Sequence, residues 1–129
     1  MNILILSIKQ KHFDDIASGV KKIETREIRP NNFSRYCRYL HKGTEYINAD
    51  DIPDDDADIE VVPVKYDAVK LLTGKYTGKR PYLIIEIKDS KVYFLKDEND
   101  EEMTYEIDGK TYIAAEIDYE LGDVIEKSF

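Results

Sequence analysis

The sequence predicts a small α+β fold in which short strands form a barrel or a strongly curled sheet, accompanied by one or two short helices. Three observations carry that prediction. The first 28 residues give a strand signal, a helix signal and a second strand signal in turn. From Val61 onward, short apolar runs recur between turn signals, as they do in closed or curled β structures. The 129 residues are 42% hydrophobic and contain no segment that reads as a linker, so one domain over 1–129 is expected.

Residues 2–8 form an apolar, branched run that reads as a buried strand. Residues 9–18 read as a short helix, because Phe13, Ile16 and Ala17 recur at helical spacing and Gly19 is placed to end it. Residues 21–28 alternate as a strand does. Ile23 and Thr25 fall on one face and Lys22, Glu24, Arg26 and Ile28 on the other, before Pro30 stops the run. Asn32 is placed to cap a helix through Leu40, with Arg35, Arg38 and Lys42 along one side and Gly43 as its end. Residues 50–60 hold seven carboxylates, the composition of a solvated loop. Strands are then expected at 62–72, 82–88, 92–96, 103–107 and 111–117, with a last one at 123–126 after a bend at Gly122. Asp108-Gly109 is a two-residue hairpin signal. The count comes to about six to eight strands.

Charge narrows the function classes. The net charge of −8 argues against a protein that coats nucleic acid without selectivity. The charge is unevenly distributed: residues 1–49 carry nine Lys or Arg against five Asp or Glu, and residues 50–129 carry ten against twenty-two. An anionic partner is therefore expected at the N-terminal part. Cys37 is the sole cysteine, no basic leader precedes the first apolar run, and no run is long enough to span a bilayer. A cytoplasmic protein with no membrane contact is expected.

The informative stretch is Gly19-Val20-Lys21-Lys22-Ile23-Glu24-Thr25-Arg26, of the form Gly-x-Lys-x-x-Glu-x-Arg. Glu24 and Arg26 lie two apart on a strand, so a carboxylate and a guanidinium project the same way about 6–7 Å apart. Such a pair offers acceptors and donors to the polar edge of a base and to a phosphate. The plain alternative is a surface ion-pair ladder. The stretch resembles the signature of ASCH domains, which belong to the PUA-like superfamily. The resemblance is strong over residues 3–28 and leaves residues 30–60 as an insertion carrying the acidic loop.

A PUA-like β-barrel is the fold that the resemblance implies, and binding of RNA or a modified nucleoside is the function. Lys21, Glu24 and Arg26 would form the pocket, supported by Ser7 and Lys9. Arg35 and Arg38 would hold phosphates, with Tyr36 or Tyr39 stacking on a base. The resemblance also implies a catalytic alternative, since some small ASCH proteins are amidohydrolases that deacetylate acetylated cytidine with the motif lysine as nucleophile. Lys21 fills that slot, but Glu24 stands where those enzymes have threonine. Glu86, a single acid in an apolar strand, is the candidate second carboxylate. A third reading is a protein partner engaged by residues 50–60.

Other signals fail on inspection. Asp54-x-Asp56-x-Asp58 opens like a calcium loop but has Ile59 and Lys65 where glycine and glutamate belong. Residues 74–80 miss the phosphate-loop spacing by one residue and end in Arg80, though their lysines add local positive charge. His12 and His41 are isolated, and Cys37 reads as a buried small apolar residue. Neither a metal nor an organic cofactor is implied.

Overall fold

The computed structural model describes residues 1–74 and 80–129. The predicted positive spot at Lys75 and Lys79 lies outside them. In chain order the elements are β1 (Ile3–Ser7), α1 (Gln10–Ala17), β2 (Ile23–Ile28), α2 (Phe33–Tyr36), β3 (Cys37–His41), β4 (Thr44–Tyr46), β5 (Ile59–Pro63) and β6 (Ala68–Leu72). They continue as β7 (Tyr82–Phe94), β8 (Thr104–Ile107), β9 (Lys110–Ile113) and β10 (Ala115–Lys127), with a 3-10 turn at Ala49–Asp51. The α+β class holds, with ten strands among the described residues where six to eight were expected. One sheet has the hydrogen-bonded order β1-β6-β7-β10-β2, a second the order β4-β3-β5, and β8 pairs with β9. The chain divides into two compact units. The first comprises Met1–Glu24, Lys65–Ser90 and Tyr119–Phe129, and the second Thr25–Val64 and Lys91–Asp118.

In the first unit β1 runs parallel to β6, with Leu4 opposite Val69 and Leu6 opposite Leu71. The β1 run is not buried on both faces as its composition suggested. Leu4 and Leu6 are buried, while Ile5 is 57% exposed on an end strand that packs on one side only. Helix α1 sets Phe13 and Ile16 against this core and leaves Ala17 outside. Gly19, at φ 83°, then takes the chain out of the helix in a left-handed conformation that favours glycine. The predicted strand over 62–72 is two strands. Pro63 has no N–H with which to continue a ladder, and Asp67 instead donates its N–H to the Asn2 carbonyl. Leu83, Ile85 and Ile87 alternate into the core from β7, which puts Glu86 on the exposed face. Gly122 marks no bend and lies inside β10, where a Cβ would collide with the Glu86 carboxylate.

The second unit overturns the predicted helix over 32–40. Only four residues are helical, and the chain extends from Cys37 to pair with β4 (Tyr39 opposite Tyr46) and β5 (Tyr39 opposite Val61). Asn32 does not cap α2, because its Oδ1 accepts the Arg29 N–H at 2.7 Å and closes the loop after β2. A short helix without a cap competes poorly with two ladders for a Tyr-Cys-Arg-Tyr-Leu-His run rich in strand formers. The Asp108-Gly109 hairpin is as expected. Both residues have positive φ, 50° and 78°, and Ile107 faces Lys110 across the turn. Cys37 is fully buried, and burial pushes its thiol up to about 11. The Tyr93 hydroxyl is shared between Glu116 and Asp118 at 3.1 and 3.2 Å. Burial and then the Glu116 hydrogen bond push that phenol up to about 12.

Asp55 ties the acidic segment to the end of β3. Asp55 accepts from buried His41 Nε2 and from Lys42 Nζ, both at 2.9 Å, and from the Ala57 N–H. The His41 bond first, then Lys42, holds Asp55 well below the usual carboxylate range. A depressed carboxylate stabilises the fold above its ordinary value of about 4, and that contribution fades as pH falls through and below it. Asp55→Asn is therefore expected to lower the urea midpoint at pH 6. The gap between variant and wild type should close as the pH is taken from about 4 towards 2. A gap that stays constant would show that the carboxylate charge is not what tethers the segment.

Candidate functional site

The site is built where α1 hands over to β2 in the first unit. After Gly19 the Lys21 N–H donates to the Asp15 carbonyl at 3.0 Å, which folds the chain back against the helix end. The alternation of β2 turns Glu24 and Ile28 inward and leaves Ile23 and Thr25 outside, the face assignment that the sequence gives. Glu24 is consequently a carboxylate at 4% exposure, and a buried charge must be paired. Lys21 supplies the partner: its Nζ sits 2.9 Å from Glu24 Oε1, with its side chain 26% exposed. The same Nζ lies 3.3 Å from His12 Nδ1. His12 stands one helical turn before buried Ile16 on α1.

Beside this pair lies a cavity of about 230 Å³. Among the described residues its ionisable lining is Lys21, Lys22 and Lys88 against the single carboxylate of Asp123. The Lys22 carbonyl accepts the Leu121 N–H at 2.9 Å, which fixes the backbone beneath one of the three lysines. Gly122 also lines the cavity, and Glu86 occupies the space that a side chain there would need, so Glu86 borders the cavity without lining it. No group of three or more His, Cys, Asp or Glu among the described residues is arranged to hold a metal ion.

None of the other expected ligand-binding residues, Ser7, Lys9, Arg26, Arg35 and Arg38, lines the cavity. Ser7 Oγ accepts from Arg80 at 3.3 Å, and Arg80 also donates to the Thr73 and Leu72 carbonyls. Lys9 is exposed at the start of α1. Arg26, Arg35 and Arg38 belong to the second unit. The predicted helical basic face does not exist, because Arg38 is tied to the Ser34 and Cys37 carbonyls and Lys42 to Asp55. Conversely, His12 and Lys88 join the site although the sequence reading gave them no role. They come from a helix and a distant strand, and no spacing rule links either to Lys21.

Charge differs between the units as it does between the halves of the chain. The segments of the first unit carry eleven Lys or Arg against nine Asp or Glu, and those of the second carry eight against eighteen. The lysine cavity thus lies in the unit that does not repel an anion. The same geometry bears on catalysis. A nucleophilic lysine has to give up a proton, and the Lys21 ammonium is committed to Glu24 and His12 on two sides.

If the pair is what makes burial of Glu24 tolerable, its halves are not equivalent. Lys21→Met removes an ion-pair partner from a buried carboxylate, whereas Glu24→Gln leaves a neutral group facing a partly exposed lysine. Lys21→Met is expected to cost about 1–3 kcal/mol more in urea denaturation than Glu24→Gln. Equal costs would mean that burial of Glu24 does not depend on Lys21.

No family model matches the chain, and no curated protein or solved structure matches it.

Proposed function

We propose that the chain is an ASCH-like module, built on a PUA-like barrel, that binds RNA through the lysine cavity of its first unit. One observation carries this reading: Lys21, Lys22 and Lys88 converge on a cavity of about 230 Å³ that holds one opposing carboxylate. Three ammonium groups suit the oxygens of a phosphate group better than the edge of a bare nucleoside, so a phosphate-bearing ligand is favoured within the RNA-or-nucleoside class. Glu24 acts from behind. Buried and bonded to Lys21, it fixes where that ammonium points and leaves Lys22 and Lys88 the more adaptable contacts.

The test is a salt titration of binding to a short single-stranded RNA, with cytidine 5′-monophosphate and cytidine as smaller ligands. Each of Lys21→Ala, Lys22→Ala and Lys88→Ala is expected to weaken RNA binding and to reduce the log–log salt slope by about 1. Cytidine should bind more weakly than its monophosphate. An unchanged slope in all three variants removes the cavity from the interface. Release of acetate from acetylated cytidine that is lost in Lys21→Ala would make the chain an amidohydrolase instead.

A further inference from the structure

The second unit contains a larger cavity, of about 530 Å³, that the lysine site does not involve. Its size falls within the roughly 300–1,000 Å³ of small-molecule pockets. Two aromatic pairs line it. Phe33 and Tyr39 stack at 4.6 Å with 26° between their planes, and Tyr105 and Tyr112 stack across the β8–β9 hairpin at 5.7 Å and 24°. The Arg29 guanidinium lies 4.2 Å from the Tyr105 centroid, a cation–π contact at the cavity wall. Ile47, Phe94 and Ile113, also in the lining, are 53%, 48% and 42% exposed, an apolar cost that a ligand would relieve.

Charge selects the class of ligand. Among the described residues no carboxylate lines the cavity, so a cation finds no counter-ion there. The one cation in the lining among the described residues, Arg29, is paired with Glu27 at 2.5 Å, and the unit carries eighteen acids against eight bases, so a polyanion is repelled. The polar lining that remains is neutral: Ser34, Asn48, Thr111 and the phenols. Burial raises the Tyr39 phenol, keeping it a neutral donor at physiological pH. We propose that this cavity binds an uncharged, planar heteroaromatic molecule of nucleoside size, stacked on the tyrosine rings and hydrogen-bonded at its edge by Asn48 and the hydroxyl groups. The assignment is independent of the RNA reading, because none of its residues belongs to the lysine site.

The experiment uses the whole chain with tyrosine rings labelled for NMR, titrated with adenosine, guanosine, cytidine and uridine, and with adenosine 5′-triphosphate and the proflavine cation as charged counterparts. At least one nucleoside should shift the Tyr39, Tyr105 and Tyr112 resonances with saturation near or below about 1 mM. Triphosphate and proflavine should shift these resonances less at equal concentration. Tyr112→Ala should weaken nucleoside binding at least about fivefold while Tyr112→Phe, which keeps the ring, changes it little. These rings line this cavity and not the lysine cavity, so their shifts separate failure here from failure of the RNA site. The proposal is overturned if no nucleoside shifts these rings, if charged probes bind them equally well, or if Tyr112→Ala binds as wild type does. It is likewise overturned if the rings shift with protein concentration alone, since the cavity would then be covered by a second copy of the chain.

Discussion

A carboxylate that is almost wholly buried constrains everything around it, and in this protein that group is Glu24. Strand alternation places it inside because Ile28, four residues on, belongs inside. The chain cannot turn Glu24 out without turning Ile28 out as well. Lys21 is what makes the arrangement tolerable. It reaches the carboxylate because Gly19 ends α1 in a left-handed turn and the Lys21 N–H is caught by Asp15. The helix end, the turn and the start of β2 together bring the two charges into contact, and the lysine cavity opens beside the pair.

The two units differ in charge. The first unit collects three separate segments and the second collects two, so residues distant in sequence meet within each. Lys88 joins Lys21 and Lys22 in this way. A near-neutral unit carrying a lysine cavity and an acidic unit carrying an aromatic one favour different ligands by electrostatics alone.

The second unit shows how pairing overrides local preference. Residues 32–40 contain a plausible cap and an apolar stripe at helical spacing, yet both ends of that signal are diverted. Asn32 closes the preceding loop, and Arg38 donates to the Ser34 and Cys37 carbonyls. Once extended, β3 is central in its sheet, and Tyr39 lies against Phe33 to form one of the stacked pairs of the cavity. His41, at the end of β3, is buried and anchors Asp55, so the acidic segment is held by the strand that the sequence reading had drawn as a helix.

Locally decided features were legible in the sequence. The helix ending at Gly19, the shared face of Glu24 and Ile28, the two-residue hairpin turn at Asp108-Gly109 and the buried Cys37 each depend on neighbours a few residues away. Backbone sterics and side-chain period are enough to place them. The strand breaks and the length of β7 were not legible, because Pro63 and the polar Asp89-Ser90-Lys91 stretch acquire their roles only from the strands they meet. Half of the candidate site was equally hidden. Lys21 and Glu24 share a motif, but His12 and Lys88 reach them across α1 and β7, and Glu86 is exposed because its apolar neighbours take the core face. The sequence determined which residues carry the charge and the local turns. Tertiary pairing decided which of those charges face one another, because contacts between distant segments have no period for a sequence to display.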